Sequence, residues 1–246
     1  MKIVTILVVA VLCIVIGLAG VAATANAQTY FADNFDNPDE SEKKWHPLFG
    51  QWEFEKDEYH QLLNAVNCMS VVSDEFWNDD WTEYTFQVRA NKIGGAEGFL
   101  IMFRCMGRMQ PRDVALQDHP PRMEKDNVSL EYWWNLGGWA NVRSQVESWG
   151  GRAGVFTNHT IETDRWYEIK IVNTPSSYTC ILDGEEIGTV DDNTQGGHGR
   201  VGLATWSTTA RFDDVIVYGP NGPSGEAVEP TGKLAVTWAS IKSGLE

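Results

Sequence analysis

The chain is short of the residues that usually announce catalysis or metal binding. Its five histidines, His46, His60, His119, His159 and His198, form no HxH or HExxH pattern, and no Gly-x-Ser-x-Gly elbow occurs. Zinc-protease and serine-esterase signatures are thereby excluded; each histidine reads as a surface or turn residue. Cysteine is as sparse: beyond Cys13 there are only Cys68, Cys105 and Cys180, with no CxxC motif. An odd number permits one disulfide or none; Cys68–Cys105 is the pair to consider, and Cys180, alternating with Tyr178 and Leu182, reads as a buried filler. Basic residues are few, 19 against 34 acidic ones for a formal net charge of −15. That balance argues against nucleic acid and anionic lipid as partners. Neutral glycans, soluble ligands and cations stay compatible. Nothing after the N-terminus is apolar enough to span a bilayer, so no membrane insertion is expected.

The N-terminal apolar stretch reads as a secretory signal over residues 1–27. Lys2 supplies the positive start, Ile3–Ala23 the apolar run and Ala25-Asn26-Ala27 the cleavage site. Cys13 follows Leu12, not a small residue, which speaks against a lipoprotein. The mature chain should begin near Gln28 and be secreted, extracellular or periplasmic. About 219 residues remain, enough for one large domain, which the pattern assigns to 28–218.

Within that domain nothing reads as a long amphipathic helix. Short alternating runs recur instead, about a dozen of them, divided by Gly, Asp, Asn and Pro. Tyr84, Phe86 and Val88 alternate with Glu83, Thr85 and Gln87, and Tyr167, Ile169 and Ile171 with Glu168 and Lys170. Asp183-Gly184 is a strong hairpin turn, and Lys56-Asp57-Glu58 marks another, with Glu58 expected off the strand. The spacing predicts an all-β, two-sheet antiparallel jelly-roll sandwich. Two stretches break the rhythm: 105–126, long enough to be functional, and 148–165. Asn127-Val128-Ser129 and Asn158-His159-Thr160 are sequons, which matter only in a host that glycosylates. Residues 219–246 read as a Gly/Pro linker followed by a short amphipathic tail, with Leu234, Trp238 and Ile241 at helical spacing. Such a helix docks on its own sandwich or recruits a protein partner.

The most informative run is Glu131-Tyr132-Trp133-Trp134-Asn135-Leu136-Gly137-Gly138-Trp139-Ala140-Asn141-Val142-Arg143. If Leu136-Gly137-Gly138 is a three-residue turn, Leu130, Tyr132, Trp134, Ala140, Val142 and Val146 share a core face. Glu131, Trp133, Asn135, Trp139, Asn141, Arg143, Gln145 and Glu147 share the other, with Glu131 opposite Arg143. A two-residue turn would instead group Trp134 with Trp139. Indoles among amides and charges suit a sugar, whose C–H faces pack on rings while planar polar groups bond its hydroxyls. The plainer alternative is cross-strand packing, at about 0.2–1 kcal/mol per aromatic pair.

Several segments together resemble the concanavalin A-like, laminin-G-type jelly-roll domains of secreted polysaccharide-acting proteins. They include Asp33-Asn34-Phe35-Asp36, Gly98-Phe99-Leu100-Ile101, Leu182-Asp183-Gly184, Gly199-Arg200-Val201-Gly202-Leu203 and Arg211-Phe212-Asp213-Asp214-Val215. The Trp-Trp-Asn-x-Gly-Gly-Trp-x-Asn segment is especially similar to the accessory domain of some bacterial α-L-arabinofuranosidases. More distantly the pattern resembles the 3-keto-disaccharide hydrolase domain. The resemblance implies either non-catalytic glycan binding or glycoside cleavage, and fold analogy alone does not choose.

Catalysis would need two carboxylates on one face, about 5–5.5 Å apart for retention and ~6.5–9.5 Å for inversion. Glu131 and Glu147 are the pair on the proposed sugar face; Glu53-Phe54-Glu55-Lys56-Asp57-Glu58 imitates the glucanase pattern but runs into a turn. The favoured reading is a secreted, non-catalytic domain binding a polysaccharide or glycoconjugate. In it Trp133 and Trp139 stack, while Asn135, Asn141, Arg143 and Glu131 bond hydroxyls. The alternative is a glycoside or 3-keto-disaccharide hydrolase. No cofactor is expected beyond a structural calcium, for which Asp33, Asp36 and Asp213 are the candidate ligands, set against ordinary turn-forming aspartates.

Overall fold

Alternation of inward apolar and outward polar residues drives seventeen strands to form among the described residues of this computed structural model, which are 27–106, 108–109, 123–125, 128–148 and 153–224. In chain order they are β1 (Thr29–Asp33), β2 (Trp45–Phe49), β3 (Trp52–Glu55), β4 (Glu58–Gln61), β5 (Cys68–Val72) and β6 (Tyr84–Gly95). Next come β7 (Phe99–Met106), β8 (Arg108–Met109), β9 (Met123–Lys125), β10 (Val128–Gly137), β11 (Arg143–Ser148) and β12 (Ala153–Thr157). Last are β13 (Trp166–Asn173), β14 (Ser177–Leu182), β15 (Glu185–Asp191), β16 (Arg200–Thr205) and β17 (Thr208–Tyr218). A short helix, α1 (Pro38–Lys44), follows β1. Most of the expected signal segment, most of the 105–126 stretch with His119, the Asn127 position and the tail beyond Ser224 lie outside the described residues.

The strands form two antiparallel sheets. One runs β15-β14-β13-β6-β17-β4-β3, with β1 also on β17; the other runs β12-β11-β10-β7-β16-β5-β2, with β8 and β9 beside β10. Phe86, Val88, Ile169, Ile171 and Cys180 of the first sheet meet Phe99, Ile101, Phe103, Trp134 and Leu203 of the second, all at 1% exposure or less. Each large apolar side chain so buried contributes about 1.5–3 kcal/mol. The sandwich expected from the spacing is the one found.

Local chemistry explains the turns. Asp183 and Gly184, at φ 50° and 84°, join β14 to β15 as a tight two-residue hairpin. Lys56 and Asp57, at φ 55° and 59°, join β3 to β4 likewise. Glu58 therefore opens β4 opposite Glu55, correcting its expected place off the strand. Arg104, with φ 48°, bulges out of the alternation of β7 and turns its guanidinium into the core. There Nε donates to Asn173 Oδ1 at 2.7 Å, and the terminal nitrogens donate to the carbonyls of Thr174, Ser177 and Asp192 at 2.9–3.0 Å. One buried cation thus ties the second sheet to the β13–β14 connection and to the end of β15 in the first.

The Cys68–Cys105 bridge does not form. The Cys68 thiol lies 3.4 Å from the Leu63 carbonyl and Cys105 3.6 Å from that of Phe103, both buried as thiols on different strands. Cys180 is the apolar filler its alternation suggested, fully buried, and burial raises its thiol pKa well above 9.0. The first residues of the supposed linker pack back on the domain: Gly219 N–H donates to Gln28 O at 2.9 Å, and Ser224 N–H to Thr29 Oγ1 at 3.1 Å.

Candidate functional site

The β10–β11 hairpin carries most of the candidate residues named from the sequence. Its register pairs Trp133 with Glu147, Trp134 with Val146 and Asn135 with Gln145, while Gly138 bridges to Arg143. The connection is longer than the three-residue turn and sits further along the chain, so Arg143 does not stand opposite Glu131. Two consequences follow. Ala140 and Val142, expected in the core, are exposed, Val142 at 57%. Side-chain parity nevertheless survives: Tyr132, Trp134, Ser144 and Val146 face the core, and Trp133, Asn135, Arg143, Gln145 and Glu147 share the opposite face.

The turn itself is unusual. Trp139, Ala140 and Asn141 have φ of 53°, 62° and 62°, three successive non-glycine residues in the left-handed region. Each costs roughly 1–2 kcal/mol relative to right-handed backbone, least for asparagine. The neighbours that hold it are identifiable. Asn141 Nδ2 donates to Ile161 O at 2.9 Å, and Ile161 N–H donates to Asn141 Oδ1 at 2.7 Å. Ala140 N–H donates to Glu97 Oε1 at 3.1 Å. Gly138 leaves room for its neighbour: a Cβ there would meet the Asn135 amide at 2.6 Å.

On the outward face, Glu147 gathers two donors. Trp133 Nε1 donates to its Oε2 at 3.1 Å, and Asn135 Nδ2 approaches the same oxygen at 3.4 Å. Trp133 is half-buried against an apolar cluster of Leu48, Met69, Val71, Leu100, Met102, Cys105 and Ala204, formed by alternate residues of β2, β5, β7 and β16. Asn135, 7% exposed, keeps Oδ1 with no hydrogen-bond partner. The Arg143 guanidinium carbon lies 3.5 Å from the Trp139 ring centroid and 5.7 Å from that of Phe156, and its Nε is buried without a partner. Phe156 reaches this spot because β12 holds an extra residue, Val155 at φ 49°, against β11.

The structure therefore brings Trp133, Asn135, Trp139, Arg143 and Glu147 onto one hairpin, with Asn141 pinning the turn through its amide. Glu131 lies on β10, but its side chain is outside the described residues, so its geometry with Glu147 is not defined. Sequence reasoning missed Phe156, 57% exposed beside Arg143. Its one signal was an apolar residue left exposed in a polar stretch. The candidate calcium ligands make hydrogen bonds within the chain: Asp33 accepts from Ser41 Oγ and Trp45 Nε1, both at 2.9 Å, and from Phe35 N–H. Asp213 accepts from Asp214 N–H at 2.8 Å, with Arg89 at 3.6 Å, and Asp36 accepts from Asn34 Nδ2. Among the described residues no group of three or more His, Cys, Asp or Glu is placed to hold a metal ion. A cleft of about 670 Å³ lies elsewhere, lined by Ser176, Tyr178, Val190, Asp192 and Thr194.

Comparison with known proteins places this architecture. No family model matches the chain. The chain is 32% identical over 208 residues to an extracellular exo-α-L-arabinofuranosidase of Streptomyces chartreusis; the match takes in 82% of this chain but only 22% of that enzyme. The chain thus spans about a fifth of its curated relative's length. Among solved structures, carbohydrate-binding module CBM66 of Bacillus subtilis superposes with a TM-score of 0.54 at 14% identity, covering 71% of this chain and 95% of the module. SCLam, a non-specific endo-β-1,3(4)-glucanase from family GH16, gives 0.50 at 12% identity over 79% and 91% of the two chains. The fold is the concanavalin A-like jelly roll that the sequence resembled. Among the described residues no helix is long and apolar enough to cross a membrane.

Proposed function

We propose that this is a secreted, non-catalytic domain that binds a polysaccharide or glycoconjugate on the β10–β11 face. The observation that carries the reading is the pairing of polar and aromatic groups there: the orphaned Asn135 Oδ1 and Arg143 Nε lie beside Trp133, Trp139 and Phe156. Trp133, held by Glu147, offers a ring to a pyranose, each such contact contributing about 0.5–1.5 kcal/mol. Arg143 and Glu147 on β11 provide donor and acceptor, and Glu131 lies on the neighbouring strand β10. Similarity to part of an extracellular arabinofuranosidase, and a fold shared with a carbohydrate-binding module, support a carbohydrate role and export.

Glu147 belongs to the proposed binding face: its carboxylate accepts the Trp133 indole N–H and faces the Asn135 amide N–H, which fixes the ring and the acceptor relative to one another. Affinity electrophoresis of the mature chain through gels containing arabinan, xylan or β-glucan, with reducing-sugar release measured in parallel, tests the proposal. Retardation without released sugar is expected. Released sugar would make the protein a hydrolase, with Glu131 and Glu147 the first residues to substitute.

A further inference from the structure

The arginines of this chain are not alike. Arg89 pairs with Asp214 at 3.0 Å, Arg165 with Asp183 at 2.9 Å, Arg211 with Glu58 at 3.3 Å, Arg104 with Asp192 at 3.9 Å, and Arg200 with Asp74. Arg143 has no carboxylate partner among the described residues, although the chain carries a net charge of −15. In so acidic a protein a half-buried guanidinium with no carboxylate beside it among the described residues is out of keeping with its surroundings.

Its surroundings fix it without satisfying it. Trp139 lies 3.5 Å from its carbon and Phe156 5.7 Å away. Stacking uses the faces of a guanidinium and leaves the N–H fork, which lies in its plane, unspent. The Nε–H is buried with no acceptor. The strained turn that supplies Trp139 is held by Asn141 and Glu97, so the stack is built from both ends of the hairpin connection. A neutral sugar hydroxyl offers such a fork one acceptor oxygen and no charge. A carboxylate offers two coplanar oxygens and a full charge, in the bidentate geometry that arginine matches.

We infer that Arg143 anchors a carboxylate, and hence that the glycan bound on this face carries a uronic acid. The inference rests on the proposed sugar-binding role of the hairpin. Polarity along β11 gives it a direction. Arg143 and Glu147 are four residues apart on the same face, about 13 Å along the strand. The acidic ring sits at the Arg143 end, and neutral hydroxyls lie toward Glu147 and Asn135. The acidity of the whole chain does not forbid this, because at 0.15 M salt charges are screened over about 8 Å.

Matched oligosaccharides test the inference on the mature chain by isothermal titration calorimetry. A uronate-bearing xylo-oligosaccharide and trigalacturonate are each compared with their carboxyl-reduced counterparts. The acidic member of at least one pair should bind about tenfold or more tighter, as expected for one charge-assisted contact. Arg143→Gln should collapse that difference and Arg143→Lys should restore part of it, with thermal melts confirming that both variants fold. Equal affinity for the acidic and reduced members would overturn the uronate inference while leaving sugar binding intact, as would an acidic preference that survives in Arg143→Gln. Binding of no oligosaccharide or polysaccharide would remove the inference together with the broader reading.

Discussion

Asn141→Ala is the substitution whose consequence the structure fixes most closely. The side chain makes two hydrogen bonds to the Ile161 backbone, at 2.9 and 2.7 Å, each worth about 0.5–1.5 kcal/mol. It also occupies a left-handed position, φ 62°, that asparagine tolerates better than alanine. Together these give a loss of about 2–3 kcal/mol, or about 5–10 °C in melting temperature for a domain of this size. Thermal unfolding followed by circular dichroism measures it. Asn141→Gly separates the two contributions, since glycine keeps the left-handed freedom and loses only the bonds; it should fall between wild type and alanine. The effect should reach the ligand face, because release of the turn frees Trp139 from its stack on Arg143. A change of less than about 0.5 kcal/mol for alanine, or a glycine variant as unstable as the alanine one, would refute this account of the turn.

Other expectations follow from the same geometry. Arg104→Met should cost about 3–5 kcal/mol in urea unfolding, because three carbonyls and Asn173 Oδ1 lose a buried donor; a loss under 1 kcal/mol would contradict the role given to this clamp. Trp133→Ala should abolish retardation in polysaccharide gels while leaving a cooperative melt, and normal retardation would move the site elsewhere. A thiol reagent at pH 8 should label none of Cys68, Cys105 and Cys180 in the folded mature chain and all three in denaturant, whereas fewer in denaturant would mean a disulfide. Stability should decline as pH rises past about 9–10. Burial raises Cys180 above its ordinary 9.0, and Tyr59, Tyr84 and Tyr178 above 10.0. The unfolded chain then sheds protons that the folded one keeps, and unfolding free energy falls with pH. A flat profile from pH 8 to 11 would contradict that burial.

Much of the fold was legible because it rests on period-two alternation. Tyr84, Phe86, Val88, Tyr167, Ile169 and Ile171 face inward as their pattern required, and Asp183-Gly184 makes the tight turn that such a pair favours. The tryptophan hairpin was half legible. Parity assigned Trp133, Asn135, Arg143, Gln145 and Glu147 to one face correctly, since an even offset in register preserves it. The offset itself was not readable. Gly137-Gly138 drew the turn toward itself, whereas Trp139, Ala140 and Asn141 carry it in left-handed conformations that their identities disfavour. Only the tertiary contacts from Ile161 and Glu97 make that conformation tenable, and those partners lie about 20 and 40 residues away in sequence. Distance along the chain likewise hid Phe156, which reaches Arg143 through a bulge in the neighbouring strand, and parted Cys68 from Cys105.

The central claim is that the outward face of β10 and β11 is a glycan site. Side-chain and backbone amide NMR of the mature chain, recorded while an oligosaccharide retained in the gel assay is titrated in, tests it residue by residue. The account predicts shifts at the Trp133 indole N–H, now on Glu147, at the Arg143 Nε–H and along Arg143–Glu147. Shifts confined to Trp166 and its neighbours on the first sheet, with Trp133 and Arg143 unmoved, would contradict it.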